Sequence, residues 1–210
     1  MAEYQLYCFG ESGNSYKAAI TMELAGVDWE AKFVDFFNGG TRTPEYRELN
    51  EMGEAPLMVH GGTTLSQSGA IQDYIVAQTG LFGGKDATER REIWRWVLWD
   101  NHKLSSVAGM TRFLNNFIPE EKRPQAVIEF MYGRLKGAYA TLNNTLSKQE
   151  WLVGEQVSVA DLSCCGYLYY PEPFGFQRED HPHIDRWLTQ ISALPGWKAP
   201  YDLMPGKQDW

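Results

Sequence analysis

Three short segments of this 210-residue chain gather hydroxyl, amide and proline groups at spacings that suit a small anionic ligand. The first is Ser12-Gly13-Asn14-Ser15, lying between a strand-like and a helix-like stretch. A helix start leaves its first N–H groups without intrahelical partners and carries a partial positive charge. Ser and Asn side chains add donors there, so an anion is stabilised. The same residues are also common helix caps. The second segment, Glu54-Ala55-Pro56-Leu57, opens a strand with proline, which cannot donate to a ladder. A cis bond before Pro56 would present the Ala55 N–H and C=O to a peptide-like ligand. The third is Ser66-Gln67-Ser68-Gly69-Ala70-Ile71. Gln67 and Ser68 stand at another helix start, a second anion position suited to a carboxylate. Ser68 is at the same time a candidate N-cap.

The elements that must position these groups follow from periodicity. Residues 3–8 alternate loosely and carry β-favouring tyrosines, which predicts a first strand. Residues 16–26 carry apolar groups at helical spacing and end at Gly26. A second strand is expected over 28–35, and Thr43-Pro44 starts a helix that runs to Asn50. APLMVH (55–60), Gly61-Gly62 and TTLSQ (63–67) form a hairpin pattern. A helix over 68–80 ends at Gly80. The first 80 residues therefore read β-α-β-α-β-β-α, a parallel βαβ unit with an antiparallel edge. Residues 81–87 read as a linker. From 88 to 210 the pattern is all-helical, with long helices over 88–116 and 120–147, another within 151–170 and one over 183–194.

Bulk properties exclude several functions. The net charge of −8 repels phosphate backbones and anionic lipid, so nucleic acid and membrane surfaces are poor partners. The chain has no run of 18 apolar residues, and MAEYQLYCFG lacks the basic-then-apolar pattern of a signal peptide. Cys8, Cys164 and Cys165 are odd in number and lack CxxC spacing, so neither a disulfide framework nor a zinc site is expected. Reduced thiols in a cytoplasmic protein fit best.

The order strand, SGNSYK, strand, helix, GEAPLMV, hairpin, LSQSGAIQDYI resembles the glutathione-binding domain of the glutathione transferases, and in particular bacterial members with Ser-Gly-Asn at the start of helix one. VSVADL (157–162) resembles the family's helix-six signature, in which Ser158 caps the helix and Asp161 is the capping-box acid. The resemblance covers nearly the whole chain. It implies a thioredoxin-like βαβαββα domain over 1–80 and an all-helical domain over 88–210.

It also implies roles. Ser12 matches the serine whose hydroxyl faces the glutathione sulfur, as a donor and not as a nucleophile. Asn14 adds a second donor, and Ser15 is a more distant candidate. Tyr7 is the competitor, since other classes use a strand-one tyrosine. Those classes follow it with an Arg-Gly-Arg-like segment, which is missing here. Cys8 reads as a small buried hydrophobe. The Ala55 backbone, beside Pro56, would pair with the cysteinyl part of glutathione, Gln67 and Ser68 would hold its γ-glutamyl carboxylate, and Arg42 its glycine carboxylate. A small hydrophobic electrophile is expected between the domains, with Met110 and Phe113 in its pocket. Asp100 reads either as reaching glutathione across a dimer or as lying on a solvated helix face.

The implied protein is a cytoplasmic homodimeric transferase that uses glutathione as substrate and no metal. Two other readings stand beside it. One is glutathione-dependent disulfide reduction, through bound glutathione. The other is a non-catalytic binding module on the same fold.

Overall fold

The computed structural model describes residues 2–206. They form two compact units: the chain up to Gly83 together with the chain from Leu194 onward, and Gly84–Ala193.

The first unit is built on a four-stranded sheet of order β2-β1-β3-β4, from β1 (Tyr4–Cys8), β2 (Trp29–Phe33), β3 (Leu57–His60) and β4 (Thr63–Ser66). Strand β1 pairs parallel with β2 and antiparallel with β3, and β3 pairs antiparallel with β4. The hairpin closes on Gly61 and Gly62 at φ 52° and 84°, the positive pair that a two-residue loop of this hand needs. Along β1 the side chains alternate. Tyr4, Leu6 and Cys8 are buried, while Gln5 and Tyr7 are half-buried on the opposite face.

Helices α1 (Gly13–Ala25) and α3 (Ser68–Thr79) pack on each other. Helix α1 ends at Gly26, which takes φ 68° and donates its N–H to the Glu23 carbonyl. Helix α2 (Pro44–Leu49) is capped by Thr43, whose hydroxyl accepts from the Tyr46 N–H. Tyr46 packs with Val34, Leu57 and Tyr7. Two 3₁₀ turns, Phe36–Asn38 and Gly40–Arg42, fill the span between β2 and α2 that the sequence leaves without an element.

The helical unit contains α4 (Ala87–Trp99), α5 (Ser106–Asn116), α6 (Gln125–Leu146), α7 (Val159–Cys164) and α8 (Pro182–Ser192). The single helix expected over 88–116 is interrupted by a π-helical turn, Asp100–Ser105. The five-residue reach of that turn brings the Ser105 hydroxyl to Asp100 Oδ1 at 2.7 Å, and Ser163 of α7 donates to Oδ2 at 2.7 Å. Asp100 is fully buried, so it lies on no solvated face and its carboxylate is taken within its own unit. That overturns both expectations for this residue.

The tail differs from the sequence reading too. Everything from residue 88 reads as one helical domain, yet residues 194–206 pack with the first unit. Tyr16 donates its hydroxyl to the Lys198 carbonyl at 2.8 Å, and Lys198 Nζ meets Glu23 at 2.6 Å. A short helix, α9 (Pro200–Leu203), follows and packs against α1.

Asp161 is the polar node of the helical unit. As the third residue of α7 it accepts the Ser158 N–H at 2.9 Å, the capping-box bond that VSVADL predicts. It also accepts from the Leu152 N–H and from Nε1 of the fully buried Trp187, each at 2.9 Å. Replacing the carboxylate by a methyl group strands these buried donors together. Asp161→Ala is therefore expected to cost about 3–4 kcal/mol in urea unfolding. A cost below about 1 kcal/mol would show that the node is not structural.

Candidate functional site

The sheet register brings the three segments together. Tyr7 pairs with Leu57, and Leu57 pairs with Ser66, so these residues form one row across β1, β3 and β4. Just beyond that row lie the loop from β1 to Ser12, the Ala55-Pro56 peptide and the Gln67-Ser68 start of α3. Because β2 runs parallel to β1, the turn that carries Arg42 leaves from the same edge. Ligands of such sheets sit beyond the carboxyl ends of the parallel strands.

Ser12 is the N-cap of α1. Its hydroxyl oxygen accepts the Ser15 N–H at 3.1 Å, and its own N–H donates to the Phe9 carbonyl at 3.1 Å. Accepting the cap bond leaves the hydroxyl proton available for donation. Capping therefore occupies only the acceptor end of the group. Asn14 and Ser15 follow in the first turn. Among the described residues, the buried Asn14 Oδ1 and Ser15 Oγ have no hydrogen-bond partner. A buried polar atom left unpaired costs about 1–3 kcal/mol, and native structures seldom leave one without a reason.

Tyr7 is half-buried, with its ring edge-on to Tyr46 at 6.3 Å on the α2 side of the sheet. Cys8 is fully buried, and burial pushes its thiol up to about 12. A thiol in that range is not a nucleophile near neutral pH.

The Ala55-Pro56 peptide is cis. The turn before it is pinned from α2: the Tyr46 hydroxyl and Asn50 Nδ2 both donate to the Glu54 carbonyl, at 2.8 and 2.7 Å. Burial pushes the Tyr46 phenol up to about 12, so it stays a donor across the working range. The sequence does not mark these two residues, since a tyrosine and an asparagine four apart at a short helix carry no distinctive signal. Ala55 itself is half-buried, and its backbone N–H and C=O carry no hydrogen bond to a described residue.

At α3 the N-cap is Gln67 and not Ser68, which is the first helical residue. Gln67 takes φ 69°, a region that non-glycine residues rarely occupy and that clusters at functional sites. Its side chain is spent on Glu54, with Nε2 to Oε2 at 2.9 Å. The Gln67 backbone and its exposed amide both stand at this edge. Ser68 is 5% exposed, and its hydroxyl has no partner among the described residues. Arg42 is exposed and makes no ion pair among the described residues.

In the helical unit, Met110 is 48% exposed and Phe113 is half-buried, both on α5. Neither lines either of two open clefts in that unit, of about 410 and 370 Å³. Between them Arg112 is buried, pairs with Glu172 at 2.7 Å and lies over the Tyr170 ring at 3.9 Å. Among the described residues no group of three His, Cys, Asp or Glu side chains is arranged to hold a metal ion, and no helix is long and apolar enough to cross a membrane.

A small mixed sheet with α1 and α3 packed together, followed by a helical unit, is the architecture of the glutathione transferase class. The chain matches the family model "Glutathione S-transferase, N-terminal domain" over residues 2–77 and "Glutathione S-transferase, C-terminal domain" over 108–195. Glutathione S-transferase F10 of Arabidopsis thaliana is 30% identical over 204 residues, which span 90% of this chain and 94% of that one. Disulfide-bond oxidoreductase YfcG of Escherichia coli (strain K12) is 28% identical over 197 residues, 89% of each chain. The solved glutathione S-transferase of Pseudomonas fluorescens aligns at a TM-score of 0.87 and 25% identity, covering 95% of this chain and 99% of its own. This chain belongs to the glutathione S-transferase family.

The Cys8 environment has a direct consequence. In the folded protein at pH 8, Cys8 is expected to stay unmodified by iodoacetamide while it reacts fully after denaturation, as read by peptide mass spectrometry. Native labelling of Cys8 with loss of activity would put a protein thiol in the chemistry.

Proposed function

We propose that the chain binds glutathione along this sheet edge and holds its sulfur as thiolate beside Ser12, for attack on a small hydrophobic electrophile. One observation carries the reading: two helix starts with unspent polar groups converge, through one row of the sheet, on an unpaired backbone segment at Ala55. That set complements an extended tripeptide with a sulfur near the middle and a carboxylate at each end.

The ligand's cysteinyl backbone pairs with the N–H and C=O of Ala55, on the face that Pro56 opens. Its γ-glutamyl carboxylate meets the Ser68 hydroxyl and the first amides of α3. Gln67 shapes that turn and supplies backbone. Arg42 takes the glycine carboxylate. The sulfur then lies at the start of α1.

There the energetics favour ionisation. An ordinary thiol with a pKa near 8.5 is only about 3% thiolate at pH 7. Lowering the pKa by about two units needs roughly 2.7 kcal/mol of preferential stabilisation. A hydroxyl donor, an amide donor from Asn14 and a helix start contribute on the order of 1 kcal/mol or more each. Together they meet the requirement without a protein nucleophile. Tyr7 is the alternative donor, but its ring packs with Tyr46 and Leu57 on the α2 side. Met110 and Phe113 are offered as apolar contacts for the electrophile. The same reading carries a cytoplasmic homodimer, in keeping with three buried, reduced cysteines.

The likeness to a relative named a disulfide-bond oxidoreductase favours a second reaction at the same site. The bound thiolate attacks one sulfur of a disulfide, the S–S bond breaks, and the other sulfur leaves as a thiolate. A second glutathione thiolate then releases glutathione disulfide. Cys164 and Cys165 are buried, so this route runs through bound glutathione and not through a protein dithiol.

The test uses retention on immobilised glutathione, conjugation of a chloronitrobenzene, and reduction of hydroxyethyl disulfide. The wild type is expected to be retained and to turn over at least one substrate. Ser12→Ala should lower kcat/KM on the order of 10²-fold. Its lost cap costs about 1 kcal/mol, too little to unfold the domain. Ser12→Thr keeps the hydroxyl and should recover most of the rate. Wild-type protein that neither binds glutathione nor turns over would leave a non-catalytic module, and near-normal Ser12→Ala would move the role to Asn14 or Tyr7.

A further inference from the structure

We infer that the returning C-terminal segment is a positioning strap for Ser12, with Pro205 and Gly206 as its working residues. The inference rests on the proposed role of Ser12 in holding the glutathione thiolate.

The loop between β1 and α1 is Phe9-Gly10-Glu11-Ser12, closed by the bond from the Ser12 N–H to the Phe9 carbonyl. Where that turn sits decides where the Ser12 hydroxyl points. Its second residue is held from outside. The Gly10 N–H donates to the Pro205 carbonyl at 2.7 Å, a short bond between segments at opposite ends of the sequence. The next residue of the strap then lies backbone against backbone on the turn. A Cβ on Gly206 would come within 3.1 Å of the Gly10 Cα and 3.2 Å of Glu11 Oε2. A Cβ on Gly10 would in turn sit 3.1 Å from the Gly206 Cα and 3.1 Å from the Tyr201 ring. Neither glycine takes a positive φ, so an added side chain at either position meets close approach and not a backbone conformational penalty, and its neighbours must give by a few tenths of an ångström.

The strap is anchored elsewhere on the same helix. Lys198 accepts from the Tyr16 hydroxyl through its carbonyl and pairs with Glu23 through Nζ. The near-fully buried Met204 ties the segment down before Pro205. The turn is thus clamped between β1 on one side and the strap on the other. A donor that must meet a sulfur within a few tenths of an ångström needs such support from outside its own segment. A backbone-to-backbone contact cannot be relieved by rotating a side chain, so bulk at 206 presses the strap and the turn apart by a few tenths of an ångström and strains the Gly10-to-Pro205 bond.

The test follows the ionisation of bound glutathione by the ultraviolet absorbance of the thiolate across pH, beside the melting temperature. Gly206→Val is expected to raise the midpoint by about one unit, which is roughly tenfold less thiolate at pH values below the wild-type midpoint. Gly206→Ala should shift it in the same direction by less, and it decides the matter if the valine variant fails to fold. Lys198→Met, which removes an exposed ion pair but keeps the bond from Tyr16 to the Lys198 carbonyl and so leaves the strap in place, should leave the midpoint unchanged while it lowers the melting temperature. Wild-type ionisation in both Gly206 variants overturns the proposal, and so does an equal shift in Lys198→Met. Ser12→Ala in the same titration separates the two ideas. If it ionises glutathione like the wild type, the role of Ser12 is wrong. If it loses the thiolate while the Gly206 variants keep it, the strap alone is wrong.

Discussion

The structure depends on the central place of β1, which pairs parallel with β2 on one side and antiparallel with β3 on the other. Parallel pairing sends the chain back through α1, and so sets a helix start at the end of β1. Antiparallel pairing with β3 sets the beginning of that strand at the same end. The hairpin then returns β4 in the direction of β1, so α3 starts there as well. Two helix starts and one strand opening are forced to a common edge by pairing alone. A slip of β3 by one residue against β1 would turn Met58 out of the core and move Pro56 away from the loop that holds Ser12.

That convergence answers an electrostatic difficulty. The chain carries a net charge of −8, yet the proposed ligand has two carboxylates and a thiolate. The counter-charge is local and is drawn largely from backbone. The first amides of α1 and α3 are fixed dipoles that need no reorganisation when an anion arrives. Arg42 adds a formal charge at the same edge. Acidic residues are present there as well, and Glu54 is held by Gln67 at 2.9 Å. Held in this way, the Glu54 carboxylate stays in place beside the proposed anion site, where the helix start would do the binding.

Much of this was legible in the sequence because its signals are local. Gly26 and Gly80 at the ends of helices, Thr43-Pro44 at the start of one, and Gly61-Gly62 between alternating runs each report a backbone requirement of the residue itself. The capping box at Ser158 and Asp161 is of the same kind. The misses depend on contacts that are distant in sequence. A π-helical turn leaves no mark on periodicity, and Asp100 reads as a surface acid until Ser163, sixty-three residues away, supplies its partner. Gln67 in place of Ser68 as the N-cap reflects a positive φ imposed by the junction of β4 and α3, against the side-chain preference. The strap could not be read at all, since Pro205-Gly206 resembles any chain end and its partner lies at Gly10.

The sheet has two open borders, and both are poor templates for another strand. Strand β4 is four residues long and mostly threonine and serine. Strand β2 carries Glu30 and Lys32, paired with each other at 2.9 Å, so ionic side chains flank its free hydrogen-bonding groups. Short borders and charged borders are the usual means of discouraging runaway cross-β growth. Both borders thus disfavour edge-to-edge addition of copies, which directs self-association toward side-chain surfaces.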